Sequence, residues 1–309
     1  MSPRRSEADR RIEAIEAIEA IVCRDVGRST QALIAASTGG LRMAAETLAG
    51  ASKVGLITGF FVPRGEVAAP ETDGPVGTAL LAAALVACGV PARIAVDTPC
   101  AGAVRMAVEA TGVDVAVDEV GVDDRAGIDR VIGAWRRAGI SHVVAIERCG
   151  RSGDGRPRNM RGVDVSSWTA PLDDLFLGGP WLKLAVGDGG NEIGMGRLPA
   201  DLIARTVPRG AEIACATSCD HLVVAGVSNW GAYGLMAALA VLRADWKATI
   251  ANFLTAERDL AVTQAIVERA GAVDGVTARR QATVDGFGPE IHGAVIDELA
   301  RVAWGGARE

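Results

Sequence analysis

The chain has 309 residues, 49% of them apolar but only 4% aromatic, and a formal net charge of −6. That length allows one large α/β domain or two small ones with ample core. The acidic balance argues against a general nucleic-acid binder, which needs a basic face toward phosphates.

Residues 9–22 read as a helix in which Ile12, Ile15, Ile18 and Ile21 alternate with Glu13, Glu16 and Glu19. Spacing of three drifts around a helix, so the segment is part buried and part charged surface. A helix over 41–48 follows Thr38-Gly39-Gly40. Residues 54–58 form the first clear strand, and a Gly/Pro-bearing loop over 59–76 leads to a helix over 77–87. The longest apolar run, Ala79 to Val90, is Ala-rich and stops at Pro91, so it predicts a buried helix and not a membrane span. A strand over 93–96, a helix over 101–110, a strand over 113–117, a helix over 129–138 and a strand over 141–146 come next. After a loop rich in Arg, Gly and Asp (147–165) come a short helix at 172–177 and a strand at 182–186. A strand over 221–225 and helices over 232–243, 257–270 and 289–302 complete the pattern.

Short apolar strands alternating with helices predict a doubly wound α/β fold, a mostly parallel sheet with helices on both faces in the Rossmann-like manner. No Ser/Gly/Pro linker divides it, so we expect an N-terminal helix (1–24) followed by a single domain (25–309). The six cysteines include no C-x-x-C pair, which suits reduced thiols. Arg4-Arg5 is followed by no close apolar segment of the kind a signal peptide carries, so a cytoplasmic location without membrane attachment is expected. Cys215, Cys219 and His221 are the one cluster of soft ligands, and without a second cluster a zinc site is not expected there. His142 and His221 read first as structural histidines, and Trp168 and Trp230 as packing residues.

Ligands of such sheets bind outside the carboxyl ends of the strands, and the polar clusters fall on those ends. The first is Pro70-Glu71-Thr72-Asp73-Gly74-Pro75. The second is Glu147-Arg148-Cys149-Gly150-Arg151, continuing to Asp154 and Asn159-Met160-Arg161-Gly162. The third is Gly187-Asp188-Gly189-Gly190-Asn191-Glu192-Ile193-Gly194-Met195-Gly196, and the fourth contains Ser228 and Asn229. The glycine density of the third implies a tight or ligand-hugging backbone, and its carboxylates are the hard oxygen ligands that Mg²⁺ or Mn²⁺ prefers. The plainer reading is a strand-to-helix turn capped by Asn191. Glu71 and Asp73 also read as helix caps, and the arginines as partners of neighbouring acids. No G-x-x-x-x-G-K-[ST], H-E-x-x-H or G-x-S-x-G occurs, and Glu192 replaces the third glycine of G-x-G-x-x-G, so no nucleotide cofactor is expected.

These loops, in this order, together with Asp154-Gly155-Arg156 and Gly226-Val227-Ser228-Asn229-Trp230-Gly231, resemble the D-glutamate cyclase family, specifically its C-terminal cyclase-like domain. The resemblance spans roughly residues 25–300, with Cys149 and the run Arg156-Pro157-Arg158 departing from the family's pattern. It implies conversion of D-glutamate to 5-oxo-D-proline plus water, helped by a divalent metal, Mn²⁺ ahead of Mg²⁺. The expected metal ligands are Asp188, Glu192 and Asp73, and the acid/base candidates are Asp188, Glu192, Glu147, Glu71 and Asp73. Arg148 and Arg161 are the expected carboxylate clamps, and Asn159, Asn191, Ser228 and Asn229 the expected polar contacts. The partner is then a small acid, with no nucleic acid or membrane involved, and homo-oligomerisation is left open. A metal-dependent hydrolase or lyase acting on another small acid, or a metabolite-binding protein without turnover, remains an alternative.

Overall fold

A computed structural model describes residues 6–64 and 67–305; Arg4 and Arg5 lie outside them. The elements in chain order are α1 (Glu7–Val22), α2 (Gln31–Ala36), α3 (Gly40–Leu48), β1 (Val54–Thr58), β2 (Phe61–Arg64), β3 (Val67–Pro70) and α4 (Pro75–Ala87). Then come β4 (Ala92–Asp97), α5 (Thr98–Thr111), β5 (Ala116–Val120), α6 (Arg125–Ala138), β6 (His142–Ile146), α7 (Leu172–Leu177) and β7 (Leu182–Gly187). The remainder is α8 (Ala200–Thr206), α9 (Gly210–Ile213), β8 (His221–Val224), α10 (Ser228–Leu242), α11 (Lys247–Ala251), α12 (Ala256–Ala270) and α13 (Pro289–Trp304). Among the described residues no helix is long and apolar enough to cross a membrane.

Six strands form one sheet in the order β5-β4-β1-β6-β7-β8, and every pairing is parallel. The chain moves outward from β1 through β4 to β5, then returns to lay β6 on the other side of β1. Strand order therefore reverses between β1 and β6, which opens a crevice at their carboxyl ends.

Side chains alternate across the sheet as a two-residue period requires. Leu56, Val144, Ile146, Leu184, Val186 and Val223 enter one core with α1, α3, α4, α5, α10, α12 and α13. Ile57, Val143, Ala145, Ala185, Leu222 and Val224 enter the other with α2, α6, α7 and α8. The doubly wound α/β expectation is met. α1 packs on α10 and α13 with Ile15, Ile18 and Val22 buried, and Arg24 just beyond it pairs with Glu298.

Several boundaries differ from the sequence reading, α6 for one starting at Arg125 and not at 129, and three of the differences have a plain physical reason. The strand expected at 113–117 lies at 116–120, because α5 runs on to Gly112, whose left-handed backbone ends it. It is an edge strand carrying Asp118 and Glu119, so its apolar signal is weak. The loop expected at 59–76 contains an antiparallel hairpin, β2 with β3, which two prolines had hidden. α10 begins at Ser228 and not at 232, because a carboxylate distant in sequence caps it.

Gly55 in β1 faces the ring of the fully buried Trp135 of α6, whose indole Nε1 donates to Asp118 Oδ2 at 2.8 Å. A Cβ at Gly55 would overlap that ring. We expect Gly55→Ala to destabilise the protein by about 1–3 kcal/mol through overpacking, and Trp135→Ala by about 3–5 kcal/mol through the cavity left behind. Urea unfolding measures both.

Candidate active site

The site begins with two helices that cap each other. α4 and α10 start side by side, each with backbone N–H groups that no turn of its own can satisfy. Asp73 lies just before α4, and its carboxylate accepts from Ser228 N (3.0 Å) and Asn229 N (2.8 Å) at the start of α10. Asn229 returns the favour: its Oδ1 accepts from Gly74 N (3.0 Å) and Gly77 N (2.8 Å), and its Nδ2 donates to Thr72 O. Between them Gly74 takes φ +91°, and a side chain there would strike Glu147 and Thr58. The reciprocal caps fix Asp73 at two helix N-termini, where the dipoles favour negative charge.

Ser228 continues the chain of contacts. Its Oγ donates to Glu147 Oε2 at 2.6 Å, and Glu147 itself stands at the end of β6 with φ +43°. Asp188 follows β7. The carboxylates of Asp73, Glu147 and Asp188, all buried, each place an oxygen within 4.8 Å of the others.

Glu192, expected as a metal ligand, is used differently. Its Oε1 accepts from Asp188 N (2.9 Å) and Gly189 N (2.6 Å), and its Oε2 from Gly190 N (2.7 Å). The glycine loop is thus wound around Glu192, and Glu147 takes the third place beside Asp73 and Asp188.

A cavity of about 460 Å³ opens over this cluster. Glu71, Glu147, Asp188, Asp285, Arg28 and Arg161 are its charged lining, and Asn159 and Asn191 are also in its wall. Asn159 Oδ1 accepts from Arg161 N and Val163 N, and Asn191 Nδ2 donates to Arg158 O (2.8 Å), so both shape the rim. Arg158 belongs to the atypical Arg-Pro-Arg run, which therefore sits against the site. Ser228 and Asn229 lie beneath the cavity as supports rather than in its wall.

Arg148, expected as a clamp, is fully buried below the site. It pairs with Asp97 (2.6 Å) and donates to Gly59 O (2.8 Å) and Ala170 O (2.7 Å), which joins the ends of β1, β4 and β6 to the loop before α7. A residue so enclosed cannot meet a ligand. The arginine that sequence reasoning missed is Arg28, between α1 and α2, which reaches Asp188 (2.9 Å) and Asp285 (2.8 Å). Asp285 was also missed. No motif surrounds either, and the backbone is distinctive only at Asp285 and at Ser29 beside Arg28, which with Glu147 are cavity residues with positive φ, a conformation that costs about 1–3 kcal/mol each outside glycine.

Burial sets the electrostatics. It pushes Glu71, Asp73, Glu147 and Asp188 well above the usual carboxylate range. Neighbouring acids add to this: Asp285 raises Glu71 and Asp73, and Asp188 raises Glu147. Arg28 and the helix N–H groups pull in the other direction without prevailing. Burial alone would lower Arg28, but Asp188 and Asp285 outweigh it and hold the guanidinium charged. The all-oxygen, all-carboxylate donor set fits a hard divalent cation, which would relieve the crowding. Among the described residues Cys215, Cys219 and His221 do not form a comparable group. Cys219 Sγ instead contacts Gly194 O, and Trp230 is a packing residue whose Nε1 donates to His292 Nδ1.

Fold and site together define an α/β protein of Rossmann strand order with an acidic, cation-competent pocket at its switch point. The family described as "D-glutamate cyclase-like, C-terminal" matches residues 18–300, and the chain belongs to it. A human relative, "D-glutamate cyclase, mitochondrial", is 35% identical over 215 residues, covering 65% of this chain and 35% of the human protein.

We expect Arg148→Met to destabilise the fold by about 3–5 kcal/mol, since it leaves Asp97 charged and unpaired, and the added Asp97→Asn change to recover part of that loss. Glu192→Gln turns an NH₂ toward a backbone N–H of the glycine loop. It should lower stability by about 1–3 kcal/mol, with faster amide exchange at residues 188–190. Denaturant titration and hydrogen exchange check the two.

Proposed function

We propose that this chain converts D-glutamate to 5-oxo-D-proline and water, with a divalent cation, Mn²⁺ or Mg²⁺, held by Asp73, Glu147 and Asp188. The observation that carries the reading is the convergence of those three buried carboxylates, two of which, Glu147 and Asp188, line an arginine-bearing cavity. The name of the human relative supports the choice of substrate.

The reaction bonds the α-amine nitrogen to the γ-carboxyl carbon. The α-ammonium sheds two protons, and one γ-oxygen leaves with them as water. A bound divalent cation supplies Lewis acidity that masks the γ-carboxylate charge. Glu71 lines the cavity outside the triad, and its raised pKa suits it to take a proton from the amine and pass one to the departing oxygen. Arg161, exposed at the mouth, clamps the α-carboxylate, with Arg28 completing the positive side. Ser228 and the start of α10 keep Glu147 and Asp73 from turning away. Ring closure within one molecule needs little beyond this alignment.

Incubation with D- or L-glutamate and Mn²⁺, followed by chromatography for 5-oxoproline, tests the proposal. Heat stabilisation by glutamate without product would replace it with a binding role. Asp188→Ala should lower turnover by at least about a thousandfold, with the circular dichroism spectrum unchanged. EDTA should abolish activity, and Mn²⁺ should restore it.

The raised carboxylates set a pH dependence. Without cation, the stability that these four groups contribute is full below the ordinary carboxylate range and is lost as pH rises through their raised folded-state values. Cation binding must displace those protons, so affinity should rise with pH and protons should be released. Calorimetry in two buffers of different ionisation enthalpy measures the release.

A further inference from the structure

Part of the cavity is left unexplained by free glutamate. Besides its charged floor it has an apolar wall of Phe61, Val62, Met160, Pro208 and Val276. Phe61 is held in place by stacking on Trp168, with ring centroids 6.2 Å apart. Met160 and Val276 are large apolar side chains left 39% and 49% exposed. Glutamate has no apolar body to set against such a wall, and a cavity of about 460 Å³ falls in the range that takes drug-sized ligands of roughly 300–1,000 Å³.

Charge points the same way. The wall carries four carboxylates, Glu71, Glu147, Asp188 and Asp285, against two guanidiniums, Arg28 and Arg161. Asp73 of the cluster adds a fifth carboxylate, so a divalent cation offsets only part of the excess. Free glutamate then brings in a further net negative charge, whereas a glutamate whose γ-carboxyl is an amide brings none. Its γ-carbonyl also needs no masking before attack.

Building on the cyclase reading above, we propose that the site accepts γ-glutamyl amides whose amine carries an apolar group. The glutamyl head occupies the charged floor, and the amine substituent lies along Phe61, Met160 and Val276. The α-amine nitrogen bonds to the γ-carbonyl carbon, and the bond from that carbon to the substituent nitrogen breaks. The two protons shed by the α-ammonium end on the departing nitrogen, giving 5-oxoproline and a free ammonium. No oxidant or co-reactant is required.

The test compares kcat/KM with Mn²⁺ for D-glutamate, its γ-methylamide and its γ-benzylamide. The two amides have leaving amines of similar chemistry but differ in apolar body. The benzylamide should exceed the methylamide by at least about tenfold, the range that apolar pocket contacts give. Val276→Asp and, separately, Met160→Ser should bring that ratio to within about threefold of unity. Turnover of free glutamate with neither amide accepted overturns this inference and leaves the cyclase reading standing. An equal ratio in parent and variants overturns the apolar subsite. Failure on all three substrates overturns both readings.

Discussion

Burying several like charges in one place is the constraint on which this molecule is built. Asp73, Glu147 and Asp188 each place a carboxylate oxygen within 4.8 Å of the others, with Glu71 and Asp285 close enough to raise pKa values in the cluster. Burial strips most of their hydration, so the repulsion must be met by the protein or by a bound ion. The protein meets it in pieces. Two helix starts face Asp73, a hydroxyl and the turn of β6 hold Glu147, and Arg28 leans on Asp188 and Asp285. None of these contacts neutralises the group completely, which is what makes the cluster receptive to a cation.

The fold supplies the ends on which the charges are mounted. β6 and β7 stop at neighbouring positions of a parallel sheet, and Glu147 and Asp188 leave them in adjacent turns. α4 and α10 begin beside those turns, bringing Asp73 and Ser228. Beneath them the Arg148–Asp97 pair ties the end of β4 to that of β6, with the Gly59 and Ala170 carbonyls accepting from the same guanidinium. The structure thus has a buried ionic layer that fixes strand ends and, above it, a more acidic layer that opens to solvent. The two arginines in question, 148 and 28, differ in which layer they serve.

Much of this was legible in the residues. Apolar runs of strand length gave the parallel sheet, and the polar clusters at their carboxyl ends marked the rim where Glu71, Asp73, Glu147 and Asp188 meet. What could not be read was direction. Glu192 and Asp188 sit in the same glycine loop with the same chemistry, yet one turns inward to three backbone N–H groups and the other outward to the cavity. Arg148 and Arg161 likewise share a side chain, yet Asp97 and two backbone carbonyls enclose the first while the second stands exposed. The start of α10 was misjudged because its cap, Asp73, lies far away in sequence. Arg28 and Asp285 come from ordinary-looking connections, and it is long-range folding, not local pattern, that carries them to the site.

The strained residues bear on why the cluster persists. Ser29, Glu147 and Asp285 hold positive φ around the cavity, and each conformation is affordable only because the surroundings over-determine it. For Glu147 the surroundings are Ser228 and the close approach of Gly74. For Asp285 they are Arg28 and the loop around Asp274, whose carboxylate accepts from Thr283 Oγ1 and Gly286 N on either side of it. Strain and charge repulsion therefore load the same few residues, while the packed cores on both sheet faces carry the compensating stability. A ligand that relieved the charge would recover part of that load, so binding at this rim and resistance to unfolding should be one quantity measured in two ways.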